Sequence, residues 1–359
     1  MKILFIVPYP VGVAPSQRLK FEQYFDCFRS NGITIKVSPF IDHRFIKILY
    51  EKGFYFKKIL YTLKGYLRRI ADIFQVKNFD LVYLHLEAAP FGPPVFEYII
   101  SKMGKPIIYD IDDIVYIPHA SQANRFVKFL KYPRKITAIL RLSSHIIVVT
   151  RYLEVFARKY NKNVTFIPPT IDTNKYFIKQ KGATHKICVG WTGSHSTSAY
   201  LVLLENVLRR LAEKYDIRIK AIGDKKFKIG GLNIEAKSWS ADDEVGDIQD
   251  IDIGLYPLPK NEWVMGKGGL KALQYMGMGV PAVCTRVGAV LDFIQDGVNG
   301  FLADSDEEWI EKVSRLIEDF DMRTRMGLAA RETVINRYSV EANAPKYMEI
   351  LRNCRIDRR

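Results

Sequence analysis

Three features of this sequence predict an α/β protein made of two Rossmann-like domains. Apolar runs of strand length alternate with helix-length segments through the first half. The alternation restarts after a proline-rich, polar stretch. Glycine-containing loops follow the apolar runs, where a parallel sheet carries its ligand loops at the carboxyl ends of its strands.

In the first half, strands are predicted at 3–7, 33–37, 81–84, 105–110, 146–149 and 164–167. A helix over 16–29 stops at Asn31-Gly32. Pro168-Pro169-Thr170 and the polar residues up to His185 read as a linker. The second half opens with a strand at 187–191, a turn Thr192-Gly193-Ser194-His195-Ser196 and a helix over 199–215. Further strands fall at 217–222, around Ile234, at 251–256 and at 280–284. The predicted domains are 1–172, completed by about 343–359, and 186–342.

At 359 residues the chain is long enough for two domains of ordinary size. No apolar run reaches the ~18–20 residues of a membrane span. The run Ile3-Leu4-Phe5-Ile6-Val7 is broken by Pro8 and Pro10 and reads as a buried strand rather than a signal peptide. Cys27, Cys188, Cys284 and Cys354 are scattered without metal-ligand spacing, which points to a reducing, cytoplasmic setting. The net charge of +15 is unevenly placed. Residues 1–180 hold 28 Lys+Arg against 13 Asp+Glu, whereas residues 181–359 hold 26 of each. The first half is therefore expected to meet something anionic.

The richest segment runs from Ile251 to Leu302. Its strand ends in a loop containing Gly266-Lys267-Gly268-Gly269, which opens a helix carrying Lys271 and Gln274. The helix stops at Gly277–Gly279, and an apolar strand follows. Helix-start amides with Lys267 and Lys271 beside them favour an anion, most simply a diphosphate. Lys267, placed on the helix's first turn, opposes the helix dipole; a bound anion would compensate it, and a solvated side chain is the alternative. Tyr109-Asp110-Ile111-Asp112-Asp113 ends another strand. Three carboxylates in four residues repel one another, so Asp110, Asp112 and Asp113 are catalytic candidates, with helix capping as the alternative. His85, Glu87 and His119 are weaker candidates. Asp242-Asp243-Glu244 reads as dipole compensation at a helix start. The loop after the first strand lacks Gly-x-Gly-x-x-Gly, which disfavours a dinucleotide cofactor.

Lys271-Ala272-Leu273-Gln274-Tyr275-Met276-Gly277-Met278-Gly279-Val280-Pro281, Gly288, Asp296-Gly297, Gly300-Phe301-Leu302 and Arg337-Tyr338-Ser339-Val340-Glu341 together resemble the donor-binding half of family 4 retaining glycosyltransferases. Those enzymes have the GT-B fold, with two Rossmann-like domains facing across a cleft and a last helix crossing back to the first domain. The resemblance implies transfer of a sugar from a nucleotide diphosphate sugar to a glycan or lipid-linked saccharide acceptor in cell-surface polysaccharide biosynthesis. It implies no further cofactor and no metal. It places Gly12, Arg18, Gly193, Ser194, Lys267, Gly268, Lys271 and Gln274 at the donor, Gln274 at the ribose, and Asp112 and Asp113 near the sugar. Ser16 and Arg18 could instead cap and face solvent on the first helix. Gly193 and Ser194 could instead form a tight turn with a cap, and His195 could hydrogen-bond phosphate or be structural.

Two departures stand out. The family's Glu-x7-Glu pair falls on Gly266 and Gln274 here. An amide still hydrogen-bonds a ribose, but the missing first Glu leaves sugar recognition open. Two other readings follow. Asp110-Ile111-Asp112 resembles the Asp-x-Asp strand of haloacid-dehalogenase-type phosphohydrolases. A non-catalytic, transferase-like binding protein is also compatible. The basic, aromatic stretches 44–77 and 125–135 suggest docking on an anionic membrane surface, with two packed surface helices as the alternative. No nucleic-acid-binding motif is found. A peripheral position on the inner face of the cell membrane is the resulting expectation.

Overall fold

The computed structural model describes residues 1–114, 132, 134–178, 186–194 and 197–356. The chain forms two units, Met1–Pro168 with Ala344–Arg359, and Pro169–Asn343. His119, His195 and most of 125–135 lie outside the described residues.

In the first unit, strands β1 (Lys2–Val7), β2 (Thr34–Pro39), β3 (Leu81–His85), β4 (Ile107–Ile111), β5 (His145–Val148) and β6 (Val164–Phe166) form one sheet. Its order is β2-β1-β3-β4-β5-β6, and each neighbouring pair is parallel. The helices are α1 (Pro15–Arg18), α2 (Phe25–Ser30), α3 (His43–Leu49), α4 (Tyr55–Gln75), α5 (Val95–Lys102), α6 (Lys135–Leu142) and α7 (Arg151–Arg158). Helices on both faces of a parallel sheet bury it twice over, so its strands read as unbroken apolar runs. β1 shows this, with Ile3 to Val7 all buried. Phe5 stacks on Tyr83 at 4.7 Å and meets Phe25 edge-on at 5.0 Å.

The helix predicted over 16–29 is broken into α1, a short 3-10 turn at Glu22–Tyr24, and α2. Two inward side chains explain the break. Gln17 exchanges hydrogen bonds with the Tyr9 backbone, both at 2.9 Å. Lys20 is drawn into the interior to reach Asp110. Ala14, not Ser16, occupies the cap position.

The second unit holds β7 (Cys188–Thr192), β8 (Arg218–Ile222), β9 (Ile234–Lys237), β10 (Ile253–Tyr256), β11 (Ala282–Thr285) and β12 (Phe301–Ala303). Its helices are α8 (Ala199–Val202), α9 (Glu205–Lys214), α10 (Glu244–Gln249), α11 (Leu270–Gly277), α12 (Asp306–Glu318) and α13 (Phe320–Thr333). The helix predicted over 199–215 is therefore two. The all-parallel sheet runs β12-β11-β10-β7-β8-β9, the dinucleotide-fold order with its reversal between β7 and β10. Val189, Trp191, Leu208, Ile219, Leu255, Val283 and Phe301 centre its core. Residues 169–178, read as linker, belong to this unit: Ile171 bridges to Ser339, and Tyr176 is fully buried.

The last helix, α14 (Val340–Ile356), starts in the second unit and from Ala344 completes the first. There Tyr347 packs on Tyr24, with ring centroids 4.5 Å apart.

Candidate functional site

In an open parallel sheet, the loops leaving two neighbouring strands at the reversal of strand order diverge and leave a crevice. In the second unit these are the loops after β7 and β10. The β7 loop begins at Gly193. The β10 loop passes through a 3-10 turn at Glu262–Gly266 and enters α11.

Gly269 makes that entry possible. It sits at the helix N-cap in the left-handed region (φ 75°), and a Cβ there would strike the Phe293 ring at 2.7 Å. The Leu273 N–H donates to the Gly269 carbonyl, so the preceding amides of the first turn have no acceptor within the helix. Lys271 lies on that turn. Its Nζ is 4.6 Å from the Trp191 ring centroid and donates to Thr197 Oγ1 at 3.0 Å. A Cβ on Gly193 would sit inside the Trp191 ring and 2.7 Å from Lys271 Nζ. Glycine is needed at 193 to let the lysine cross the β7 turn. Tyr275, one turn on, fixes the same two strands: the Thr192 N–H donates to its hydroxyl at 2.7 Å, and that hydroxyl lies 3.4 Å from the Leu255 carbonyl.

Among the described residues, no carboxylate lies within ion-pair range of Lys271. Burial and then the nearby Lys267 charge push its ammonium down to about 7. A half-buried lysine over an indole, beside helix-start amides and a second lysine, has the chemistry to take an anion.

Other sequence assignments change. Lys267 is not on the first turn of α11. It follows the 3-10 turn in extended conformation, its N–H donates to Val264, and its Nζ is 5.3 Å from the Trp263 ring centroid. Gly268 joins it to Gly269. The amides of Gly193 and Ser194 are not open to a phosphate: they donate to Ile222 O at 2.8 Å and Thr197 Oγ1 at 3.1 Å. Gln274 is buried, and its Nε2 donates to the Tyr176 hydroxyl at 3.2 Å and to Glu244 at 3.3 Å. Tyr176 and Trp239 also donate to Glu244, at 2.7 and 3.1 Å. Glu244, read as dipole compensation, is thus the buried acceptor of three donors, one of them Gln274's amide nitrogen.

In the first unit, Asp110 is fully buried. Lys20 pairs with it, and His85 Nδ1 donates to it at 3.1 Å. Burial pushes the Asp110 carboxyl up, but Lys20 and His85 outweigh it and hold it below the usual carboxylate range. Burial lowers His85, keeping its imidazole neutral. Asp110 and His85 therefore tie β3, β4 and the 19–21 bend together rather than meeting a substrate. A buried, paired Asp110 also removes the nucleophile that the phosphohydrolase reading requires. Asp112 and Asp113 follow at the sheet's carboxyl edge, partly exposed. Asp112 is 3.9 Å from Lys20, and Asp113 accepts from the Ile114 N–H at 2.8 Å.

The Gly12 amide is likewise occupied, donating to Glu22 at 2.8 Å. Arg18 ends α1, partly exposed. Glu87 pairs with buried Lys135 at 3.1 Å. Sequence reading missed Trp191, Thr197, Tyr275, Lys20 and Glu22. Trp191, two residues before Gly193, carried a signal: a large ring against a glycine turn leaves a slot that a side chain must fill.

A dinucleotide-fold strand order with a half-buried cation at its switch point is an arrangement suited to a nucleotide. Residues 186–319 match the family of glycosyl transferases group 1, and the chain is a GT-B glycosyltransferase of that group. It is 24% identical over 363 residues to the sulfoquinovosyl transferase SQD2 of Arabidopsis thaliana, covering 92% of this chain and 69% of that protein. It is 23% identical over 307 residues to the N-acetyl-alpha-D-glucosaminyl L-malate synthase of Bacillus anthracis, covering 79% and 77%. The crystal structure of Anabaena HepE with UDP and glucose shares the fold, with TM-score 0.69, 17% identity and coverage of 98% and 99%.

Proposed function

We propose that this protein is a retaining glycosyltransferase. It takes a sugar from a nucleoside diphosphate sugar and passes it to a glycan or lipid-linked saccharide acceptor in cell-surface polysaccharide biosynthesis. One observation carries the reading: Lys271, half-buried on Trp191 beside the start of α11, is a cation with no carboxylate in ion-pair range among the described residues, at the switch point of a nucleotide fold.

In this reading the diphosphate docks on the first turn of α11. Lys271 and Lys267 meet its negative charge as the glycosidic bond to the β-phosphate breaks, the charge-stabilising task of the step. A lysine can do this without a metal. The leaving phosphate itself receives the acceptor's proton, so no protein base is assigned. Asp112 and Asp113 are the carboxylates proposed to meet the sugar or the positive charge at its anomeric carbon. Gln274 keeps a ribose role only through its amide oxygen, since its nitrogen serves Glu244. Among the described residues no helix is long and apolar enough to cross a membrane. We place the enzyme peripherally on the inner face of the cell membrane, in keeping with a basic first half and a lipid-linked acceptor.

The test is calorimetric binding of UDP, GDP, ADP, CMP and dTDP to the full chain and to Lys271→Met. UDP is the first candidate because the HepE structure holds it. Binding of one diphosphate by the wild type, weakened about tenfold or more in the variant, supports the assignment. Equal binding by both proteins, or binding by neither, removes it.

A further inference from the structure

Helix α4 is amphipathic in the opposite sense to a packed surface helix. A helix on a sheet turns its apolar stripe inward. Here the inward face carries Gly65, Arg69 and Asp72, all buried. Arg69 donates to the carbonyls of Val7 and Ser38, at 2.9 and 3.1 Å, and pairs with Asp72 at 2.9 Å. Asp72 accepts from the Ser38 hydroxyl at 2.7 Å. Gly65 lies so close to Phe40 that a Cβ would meet its ring at 2.6 Å. The helix is thus held in place by an ion pair, backbone acceptors, one close approach and the rings of Tyr61 on Phe45 and Tyr66 on Phe40.

Its apolar stripe faces outward. Phe56, Ile59, Leu60, Leu63, Leu67, Ile70 and Phe74 are 46–73% exposed. Their spacing of three, one, three, four, three and four residues keeps them on one side of the helix. Contiguous apolar exposure on this scale marks an interaction surface. The charges beside it choose the occupant. Lys57 and Lys64 are exposed on one flank, and Arg44, Lys47 and Lys52 are exposed on the segment just before α4. The acidic residue of α4, Asp72, is buried against Arg69. A second copy would set these cations against each other, whereas anionic headgroups would neutralise them while the stripe enters the acyl boundary.

We infer that α4 is an interfacial docking helix that lies in the plane of an anionic bilayer, with Phe56, Leu60, Leu63 and Leu67 inserted. The helix runs from the carboxyl edge of the sheet, where the loop after β1 is tied to α3's end by the Tyr9 and Tyr50 hydroxyls at 3.3 Å. Docking therefore holds that loop and the Asp112–Asp113 edge of the same sheet near the lipid surface. This deepens the lipid-linked-acceptor reading and rests on it, but its test does not depend on catalysis.

The experiment is co-sedimentation of the full chain with vesicles of equal parts phosphatidylglycerol and phosphatidylcholine, and with phosphatidylcholine alone. It is run on the wild type, on Leu63→Glu/Leu67→Glu, and on Phe56→Trp. Both altered leucines are exposed, so circular dichroism and nucleotide calorimetry are expected to match the wild type. The expected result is binding to the anionic vesicles, weakened more than about tenfold by the two glutamates. Phe56→Trp is expected to show a blue-shifted emission on those vesicles only. Wild type left in the supernatant overturns the proposal, as does binding that survives the glutamates. A dimer in vesicle-free sedimentation that the glutamates dissociate also overturns it, in favour of a second copy. Loss of vesicle binding with nucleotide binding intact, or the reverse, shows which of the two readings has failed.

Discussion

Each unit of this protein draws a lysine inward near the carboxyl edge of its sheet, Lys20 fully and Lys271 partly, and the two lysines have opposite surroundings. Lys20 is 3% exposed in the first unit and is neutralised by Asp110, with the Ile111 carbonyl accepting at 3.2 Å. Lys271 in the second unit has an indole face, a threonine hydroxyl and another lysine nearby. Residue type is the same and Lys271 is the less buried of the two; what also differs is whether the chain supplies the counter-charge. Where it does, the lysine is structural. Where it does not, the folded protein holds an electrostatic cost that a ligand can relieve, which is how binding sites differ from cores.

The contrast predicts opposite stability effects. Lys20→Met leaves Asp110 as an unpaired buried charge and is expected to cost about 3–5 kcal/mol in urea unfolding. A loss below about 1 kcal/mol, within the range of an exposed pair, would show that Lys20 does not hold Asp110 in solution. Lys271→Met removes a half-buried cation that has no carboxylate beside it among the described residues. It is expected to raise Tm without nucleotide in a thermal shift assay, while diphosphate affinity falls by about ten- to a hundredfold, the worth of one charge-assisted hydrogen bond. A lowered Tm with unchanged affinity would make Lys271 structural, like Lys20.

The pH dependence isolates the same cation. The free Lys271 ammonium titrates near 7, and a bound diphosphate raises that value. Binding then takes up a proton, so affinity is full below pH 7 and falls above it by up to about tenfold per pH unit. Calorimetry in buffers of different ionisation enthalpy should show the uptake at pH 8, and identical heats in all buffers would refute it. Without nucleotide the depressed value acts on stability the other way. Its favourable contribution is full above the unfolded lysine value and is lost as pH falls through 7.

The smallest effect belongs to Gln274. Replacing it by Ala removes one of three donors to Glu244 and should cost about 1–2 kcal/mol of stability. Undiminished UDP affinity in Gln274→Ala would confine it to that network. A loss of affinity exceeding the loss of stability would restore its ribose role.

Much of the fold was legible because parallel strands buried on both faces leave short apolar runs that helix-length segments separate. The strand at 3–7 and the strand–loop–helix–strand series from Ile251 onward were read this way. Helix continuity was less legible. The break after Arg18 depends on Gln17 and Lys20 turning toward partners at Tyr9 and Asp110, contacts that local periodicity does not encode. The candidate site was half legible. Lys271 and Gly193 stood out by their place beside strand ends. Their partner Trp191 read as an ordinary strand residue, and Lys267 was placed one turn too far into the helix because the left-handed Gly269 delays its start.

Composition, alternation and motif spacing were thus enough to establish two parallel α/β units, a glycosyltransferase-type donor half and a basic first half. All three depend on local order along the chain. They could not tell which carboxylates are buried and paired, which amides are already taken, or that α4 turns its apolar stripe outward. Those outcomes depend on partners far apart in sequence, such as Lys20 with Asp110, Gly193 with Ile222, and Arg69 with Val7. A charge or donor acquires its role only when folding decides whether a neighbour satisfies it.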